Sequence, residues 1–544
     1  MPLTGRNPRY AYRRPAAVGQ AAAEDAPVVI TGGGLVGLTL ALDLARRGVV
    51  SVLLDEDDTV SVGSRAICWA KRTLEIMGRL GLGQRFLEKG ITWNTGRVYV
   101  GEQEAYAFNL LPEQGHEYPA FVNLQQYYAE EWLVAACEAT GRVDLRWRNK
   151  VTAVENGPDG ALLSVETPDG PYRLHAAWLL ACDGARSLVR EQLGLPFLGQ
   201  VFRDRFLIAD IVMKVPFPAE RRFWFDPPFH PGQSVLLHKQ PDDVWRIDFQ
   251  LGPDADPEEE KRPEKVRARV AQMLGPKVHF ELDWVSVYTF RCRRLERFRH
   301  GRILFLGDAA HQVSPFGARG GNGGVQDADN LGWKLAALLA GEAPEALLDS
   351  YDAERIPAAE ENILNSARST DFITPKNAAA RAWRDAVLAL SARYPLARPL
   401  VNSGRLSRPA LLRGSPLSTP GGEDTPLPPG APAIDAPMLD RGRPGWLLRH
   451  LHSPGEGYAF TLLALAGEGA PPPAVPEGVA RVVVGETETT GALFDHSGLV
   501  ARRWGLAPGE AVLLRPDQHV AARFRHPDPN AIAAAHGRAL GRSA

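Results

Sequence analysis

Three glycines, Gly32, Gly34 and Gly37, follow one another as G-x-G-x-x-G, and an acid, Asp55, stands eighteen residues beyond the last. Each has a mechanical reason. Gly32 lets the chain turn tightly, Gly34 lets backbone approach a pyrophosphate, and Gly37 lets a helix pack closely on a strand. Free N–H groups at a helix N-terminus, with their partial positive charge, favour phosphate there. Asp55, ionised at pH 7, can accept hydrogen bonds from ribose hydroxyls, worth ~1.5–3 kcal/mol each. The chemistry is the binding of an AMP-containing dinucleotide, and this motif leaves FAD and NAD both open. The elements that must position it are readable. Val28 to Ile30 is a short β-branched run that reads as a buried strand. Leu38, Leu40, Leu42 and Leu44 read as a buried helix ending near Gly48, and Val49 to Leu54 reads as the next strand.

Two further blocks carry chemistry. Asp183 and Gly184 sit at a turn between an apolar run and a helix opened by Ser187 and Arg190. Taken alone, this is a turn with capping residues. Gly307, Asp308, Ala309, Ala310 and His311 follow a strand read at Ile303 to Leu306. A glycine-rich loop, Pro315 to Gly324, leads into a helix read over Val325 to Leu339. Glycines there let backbone N–H groups face a flat ligand.

Together and in this order, these three blocks resemble the group A flavoprotein monooxygenases, aromatic hydroxylases similar to para-hydroxybenzoate and phenol hydroxylases. The likeness runs over roughly residues 27 to 370. Its phenol hydroxylase and 3-(3-hydroxyphenyl)propionate hydroxylase branch carries a C-terminal thioredoxin-like domain. The resemblance implies FAD as cofactor and NADH or NADPH as co-substrate. It implies hydroxylation of a phenolic or other activated aromatic ring with O2, through a flavin C4a-hydroperoxide. By the same likeness Asp308 binds the ribityl chain, and Gly320, Gly321 and Asn322 lie against the isoalloxazine ring. Pro315 sits beside the oxygen-reaction face, and Arg65 lies near the pyrophosphate. Gln126 reaches FAD phosphate, with the neighbouring Gln125 leaving that register open. Asp183 lies near the flavin and the nicotinamide path. Transient NAD(P)H binding explains why no second glycine fingerprint is present. Two alternatives remain: a same-fold monooxygenase on a larger polyketide-like or ketone substrate, and a non-catalytic flavin-binding protein.

Between Arg190 and Gly301 the pattern changes. Phe206 to Val215, Ser234 to Lys239, Val244 to Leu251 and Trp284 to Phe290 alternate apolar and polar residues, which predicts a half-buried antiparallel sheet. In the family such a sheet forms the floor over which substrate meets flavin. Phe223, Trp224, Phe225 and Phe229 read equally as pocket lining or as sheet core. His230, His238 and Tyr288 are candidates for deprotonating a phenol, His being a suitable base near neutral pH. Arg221 and Arg222, beside Glu220, read first as solvated surface charge. His311 and the segment Tyr351 to Pro357 read as structural hydrogen-bonding and ion-pair groups.

The expected fold class is α/β: a Rossmann-like FAD-binding domain, an antiparallel-sheet substrate domain and a small thioredoxin-like α/β domain. The divisions are an N-terminal arm at 1–26, FAD-binding segments at 27–195 and 285–401, and a substrate sheet at 196–284. A linker at 402–445 and the thioredoxin-like domain at 446–544 complete the chain. The tail likeness rests on Asp495 to Gly498 and Leu514 to Asp517. No cysteine follows Cys292, so thiol exchange there is excluded, and a dimer-interface role is left for this domain. The 544 residues carry 62 Lys and Arg against 64 Asp and Glu, which is not the basic excess of a nucleic-acid binder. No apolar run reaches the ~18 residues of a membrane span. Four scattered cysteines, Cys68, Cys137, Cys182 and Cys292, argue against a disulfide framework or a cysteine zinc site. Residues 1–26 lack a secretory apolar stretch, so a cytoplasmic enzyme is expected, its partners an aromatic small molecule and O2.

Overall fold

The computed structural model describes residues 7–63, 65–252, 254–401, 407–451, 459–467, 472–487 and 491–542. Arg6 of the N-terminal arm and residues 402–406 of the expected linker lie outside them.

A parallel sheet forms around the strand Glu24–Thr31. Tyr172–Ala181 lies on one side and Ser51–Leu54 on the other, with Ile303–Phe305 and Val143–Arg146 parallel beyond them. Val28, Val29 and Ile30 are wholly buried, as a strand covered on both faces requires. The helix Leu35–Arg46 returns the chain between the first two strands. The hairpin Lys150–Gly157 and Gly160–Glu166 joins this sheet through Tyr172–Ala181.

The long helix Gly320–Leu339 begins five residues earlier than its apolar pattern suggests. The glycines Gly320 to Gly324 are its first turn, not a loop before it. A Cβ at Gly324 would sit 2.5 Å from Val36 Cγ2, so glycine there lets this helix pack closely on the first helix.

The second sheet has eight antiparallel and parallel-paired strands. Phe197–Val212, Val244–Leu251, Ser234–Lys239 and Arg221–Phe225 lie side by side at its centre. Thr95–Val100 and Gln103–Asn109 extend one edge, although they lie in the stretch read as cofactor domain. Glu281–Leu295 flanks the other side and crosses the expected boundary at residue 284. At its centre the sheet is not half-solvated, whereas Glu281–Leu295 at its flank is partly exposed over most of its length. All eight residues of Val244–Leu251 are buried. Trp245, Ile247, Phe249 and Leu251 pack with Val266 and Val270 of the helix Pro263–Leu274. The polar set Arg246, Asp248 and Gln250 points the other way, into the molecule.

The C-terminal sheet runs Arg443–Trp446, Pro437–Asp440, Leu493–Phe494, Val479–Gly485, Phe460–Leu465, Ala511–Leu514, Val520–Phe524. Pro437–Asp440 falls within the stretch read as linker. That stretch wraps the sheet: Leu427, Ala431, Ala433 and Ala436 share a core with Trp504, and Ala433 N donates to Gln518 O at 2.8 Å. Leu447 and Leu448 belong to a 3-10 turn.

A wholly buried ionic cluster joins this sheet to the cofactor region. Glu354 accepts from Lys334 Nζ at 2.7 Å and from Arg515 at 2.5 and 3.1 Å, and Arg515 also pairs with Asp517 at 2.5 Å. The segment from Tyr351 is therefore an ion-pair element, set inside the helix Asp349–Ile373.

Candidate active site

A cavity of about 460 Å3 opens where the turns after three parallel strands meet the antiparallel sheet. That crevice, outside the carboxyl ends of the strands, is where doubly wound sheets bind ligands.

The first turn follows Glu24–Thr31. Gly32 has φ +100°, and a Cβ there would meet Cys182 O at 2.5 Å; at Gly37 it would meet Gly32 O at 2.0 Å. These two glycines close the turn. Gly34 lines the cavity, and among the described residues the one atom within 4 Å of a Cβ built on it is Glu130 Oε1 at 3.7 Å. Asp55 stands behind this loop and outside the cavity lining. Its carboxylate accepts from Gly33 N at 2.5 Å and Asp57 N at 2.8 Å. Burial pushes its carboxyl up to about 6, against the pull of those two hydrogen bonds.

The helix Gln126–Thr140 supplies the second group. Gln126 faces the cavity, accepts from Ala66 N at 3.0 Å and donates to Glu130 at 2.7 Å. Gln125 turns away and donates to Pro241 O at 3.3 Å, so of the two it is Gln126 that lines the cavity. Glu130, one turn on, accepts from Leu35 N at the first helix's N-terminus at 3.0 Å and from Ser61 N at 2.7 Å. Sequence reasoning did not assign Glu130 a site role, although its four-residue spacing from Gln126 places it on the same helix face. Arg65 lines the cavity on the adjoining loop.

Asp183 is a capping residue. It accepts from Val189 N at 3.1 Å over the short helix Leu188–Gln192, while Cys182, Gly184 and Ala185 line the cavity. Asp308 projects into the cavity from the turn after Ile303–Phe305. Enclosure raises its pKa, offset in part by His311, Arg65 and Arg291. His311 is engaged: its Nε2 lies 2.6 Å from Asp327, which also takes Arg355 Nε at 2.7 Å and Gly307 N at 3.1 Å.

Pro315, Phe316, Gly317 and Ala318 form the loop before the long helix, with Gly317 at φ +93° and Ala318 at φ +55°. Gly320 and Gly321 present backbone to the cavity. The Asn322 side chain is spent on structure: its oxygen accepts from Ala70 N at 2.9 Å and Thr73 Oγ1 at 2.6 Å, and its nitrogen donates to Cys68 O at 2.9 Å. Only its backbone is left for a ligand.

The opposite wall is the antiparallel sheet, through Arg221, Leu236, His238, Arg246, Asp248 and Tyr288, with Phe290 and Phe316 meeting edge to face at 5.2 Å. His230 is not in this wall. Its Nε2 lies 2.7 Å from Gln250 O and its ring packs on Phe249, on the far side of the sheet. It is displaced from the cavity because it sits in the turn beyond Arg221–Phe225. Phe223 and Phe225 fill the core with Phe372, while Trp224 and Phe229 pack on the far face, so this aromatic stretch is core and not lining. Strand alternation also corrects the reading of Arg221. It shares the inward face with Phe223 and Phe225 and is 3% exposed, whereas Arg222 pairs outward with Glu220 at 3.6 Å.

The residues present fit FAD. There is open room over Gly34, a cationic side chain beside the helix N-terminus, an acid in the cavity, and a helix start whose backbone a Cβ would cover. A family model described as FAD binding domain matches residues 25–366. Over 532 residues the chain is 32% identical to 6-methylpretetramide 4-monooxygenase of Streptomyces rimosus, covering 92% of this chain and 91% of that protein. This chain belongs to the family of FAD-dependent monooxygenases. Another member, the 3-(3-hydroxy-phenyl)propionate/3-hydroxycinnamic acid hydroxylase of Mycolicibacterium smegmatis, is 31% identical over 373 residues. That match covers 66% of this chain and 64% of the hydroxylase, a little under two thirds of its length. The crystal structure of the flavin-dependent monooxygenase PieE in complex with FAD and substrate superposes with a TM-score of 0.80. It covers 96% of this chain and 100% of that one at 24% identity, a likeness of fold. For an FAD-dependent monooxygenase, the crevice just described is the candidate cofactor site. Among the described residues no helix is long and apolar enough to cross a membrane.

Proposed function

We propose that this monooxygenase hydroxylates a phenolic or otherwise activated aromatic ring, with NADH or NADPH and O2 as co-substrates. The observation that carries the reading is the cavity itself, with backbone of the cofactor turns on one side and Tyr288, Phe290 and Phe316 on the other. These three aromatic side chains, set in a wall that also carries Arg221, His238, Arg246 and Asp248, give a flat ring an apolar face to stack on while the polar groups fix its orientation. When bound, FAD reduced by the nicotinamide and meeting dioxygen supplies the oxygen that is inserted.

The chain's own residues do the rest. The first helix N-terminus, Arg65 and Gln126 hold the pyrophosphate, and Asp308 accepts hydrogen bonds from the ribityl hydroxyls. Gly320, Gly321 and the Asn322 backbone bed the isoalloxazine ring, and Pro315 borders the oxygen side. Tyr288 contacts the substrate. Asp55 acts on the adenosine end by ordering the glycine loop. The C-terminal sheet is proposed to be thioredoxin-like in order. Support comes from its core sequence Val479–Gly485, Phe460–Leu465, Ala511–Leu514, Val520–Phe524 and the closing helix Pro529–Ala539. Its place in the assembly is proposed as a homodimer contact, in a cytoplasmic enzyme.

The test is a panel of phenols, hydroxybenzoates, hydroxyphenylpropionates and polycyclic phenols, scored for stimulated NAD(P)H oxidation with peroxide measured in parallel. Stimulation with hydroxylated product supports the reading. Oxidation that appears wholly as peroxide across the panel, or no stimulation at all, rejects it.

A further inference from the structure

The sheet wall carries a row of charge that holding FAD does not require. Arg222 pairs with Leu237 across neighbouring strands, which sets Arg221 beside His238. His238 is paired with Arg246, and Arg246 with Asp210. Four strands thus bring two guanidiniums, an imidazole and a carboxylate into one line across the sheet. Arg246 is committed: its Nε donates to Asp248 at 2.8 Å and its Nη1 to Arg65 O at 2.9 Å. Arg221 is 3% exposed and His238 is 5% exposed, and both line the cavity. Burial, reinforced by Arg221 and Arg246, holds the His238 imidazole neutral. Its Nδ1 is enclosed with no hydrogen-bond partner. A buried ring nitrogen left unsatisfied costs ~1–3 kcal/mol, and the ring's other nitrogen, Nε2, is the one left to meet a ligand in the cavity.

The composition of this wall decides what kind of ligand suits it. A base for a phenol proton would be an uncommitted carboxylate or an imidazole of ordinary basicity: Asp248 is occupied by Arg246, and burial beside Arg221 and Arg246 makes His238 a poor proton acceptor. What faces the cavity is a cation and a neutral imidazole, which together donate hydrogen bonds to an acceptor that has no proton of its own. Charge-assisted donation from a guanidinium to an anionic oxygen is about twice as strong as a neutral hydrogen bond. An ionised ring oxygen also makes the ring more electron-rich, which is what insertion of an electrophilic oxygen needs.

We propose that Arg221 and His238 form an oxyanion subsite that holds an ionised oxygen borne by the substrate ring, a phenolate or the enolate of a β-dicarbonyl, so that the enzyme takes its substrate as the anion. Asp248 acts through Arg246 as a positioning residue. The inference rests on the aromatic hydroxylase reading and narrows its substrate class to acidic hydroxylated rings.

The probes are 2-hydroxy-1,4-naphthoquinone, ionised at neutral pH, its methyl ether, and 1-naphthoate, with equilibrium dialysis against the FAD-loaded full chain. The hydroxyquinone is expected to bind at least about tenfold more tightly than the ether. Arg221→Gln should collapse that ratio, Arg221→Lys should keep part of it, and His238→Phe should reduce it. Arg222→Gln, on the outward face, should leave it unchanged. Equal affinities for hydroxyquinone and ether on the unaltered enzyme overturn the subsite, as does a ratio that survives Arg221→Gln. Tighter binding of 1-naphthoate than of the hydroxyquinone overturns the assignment to a ring oxygen. Where Arg221→Gln fails to fold, the Lys variant and the unaltered enzyme decide. Equal affinities with hydroxylation intact remove only this inference, whereas no hydroxylation of any ring removes the reading beneath it.

Discussion

Asp308 is an acid that lines the cavity beside the cofactor turns, and Gly37 is a glycine with no room for a side chain. Asp308→Ala removes a carboxylate acceptor worth ~1.5–3 kcal/mol, so FAD should bind roughly ten- to a hundredfold more weakly in a fluorescence titration. Unchanged FAD affinity removes Asp308 from the site. Gly37→Ala drives a methyl to 2.0 Å from Gly32 O, closer than any side chain can relax against backbone. It should cost more than ~3 kcal/mol, read as a lowered Tm with loss of bound flavin. A variant with native Tm contradicts the close-packing role. At this scale glycine spacing was legible, because no other residue type serves those positions. His230, Arg221 and Glu130 were not. Which of two adjacent strand residues faces inward, and whether a histidine lies on the strand or in the turn beyond it, depends on pairing partners far away in sequence.

At the scale of elements, Ser234–Lys239 and Val244–Leu251 were readable to their ends from periodicity. The helix Gly320–Leu339 was not, because five residues of high glycine content look like a loop until the neighbouring helix shows why bulk is excluded there. Thr95–Val100 and Pro437–Asp440, each the inner strand of a hairpin that ends its sheet, were missed for a related reason: so short a strand has its pattern set by the sheet it joins. The N-terminal arm is fixed by more than surface contact. Asn7 donates to Ser61 O at 2.7 Å, Tyr10 N donates to Asp58 O at 2.8 Å, and the Tyr10 ring stacks on Trp147 at 4.5 Å. Ser61 in turn bonds Glu130 at the phosphate end. Tyr10→Ala should lower stability by ~1–2 kcal/mol and speed FAD release. A stopped-flow dilution of the holoenzyme reads the second effect, and an unchanged release rate would show that the arm does not brace the site.

Across the whole molecule, the cluster of Glu354, Lys334, Arg515 and Asp517 holds the C-terminal sheet on the cofactor helices. Burial pushes the Glu354 and Asp517 carboxyls up, but Arg515, with Lys334 at Glu354 and His519 at Asp517, more than offsets it, and both stay below the ordinary carboxylate range. Groups shifted down in the folded state contribute stability above their unfolded pKa of ~4–4.5 and lose it as pH falls through the folded values. Glu354→Gln should therefore destabilise by ~3–5 kcal/mol at pH 7, with a gap from the unaltered protein that narrows in acid. Urea midpoints at pH 7 and pH 3.5 check this, and a gap constant with pH contradicts it. The partner of this ion-pair segment was not readable in the sequence, because Glu354 and Arg515 stand 161 residues apart in the chain. The account as a whole stands on oxygen insertion into an aromatic ring inside the crevice. The direct measurement is turnover of a stimulating phenol under oxygen-18 gas with mass analysis of the product. The account predicts one labelled oxygen atom in the ring product for each NAD(P)H consumed. Unlabelled product, or label recovered only as peroxide, would contradict it.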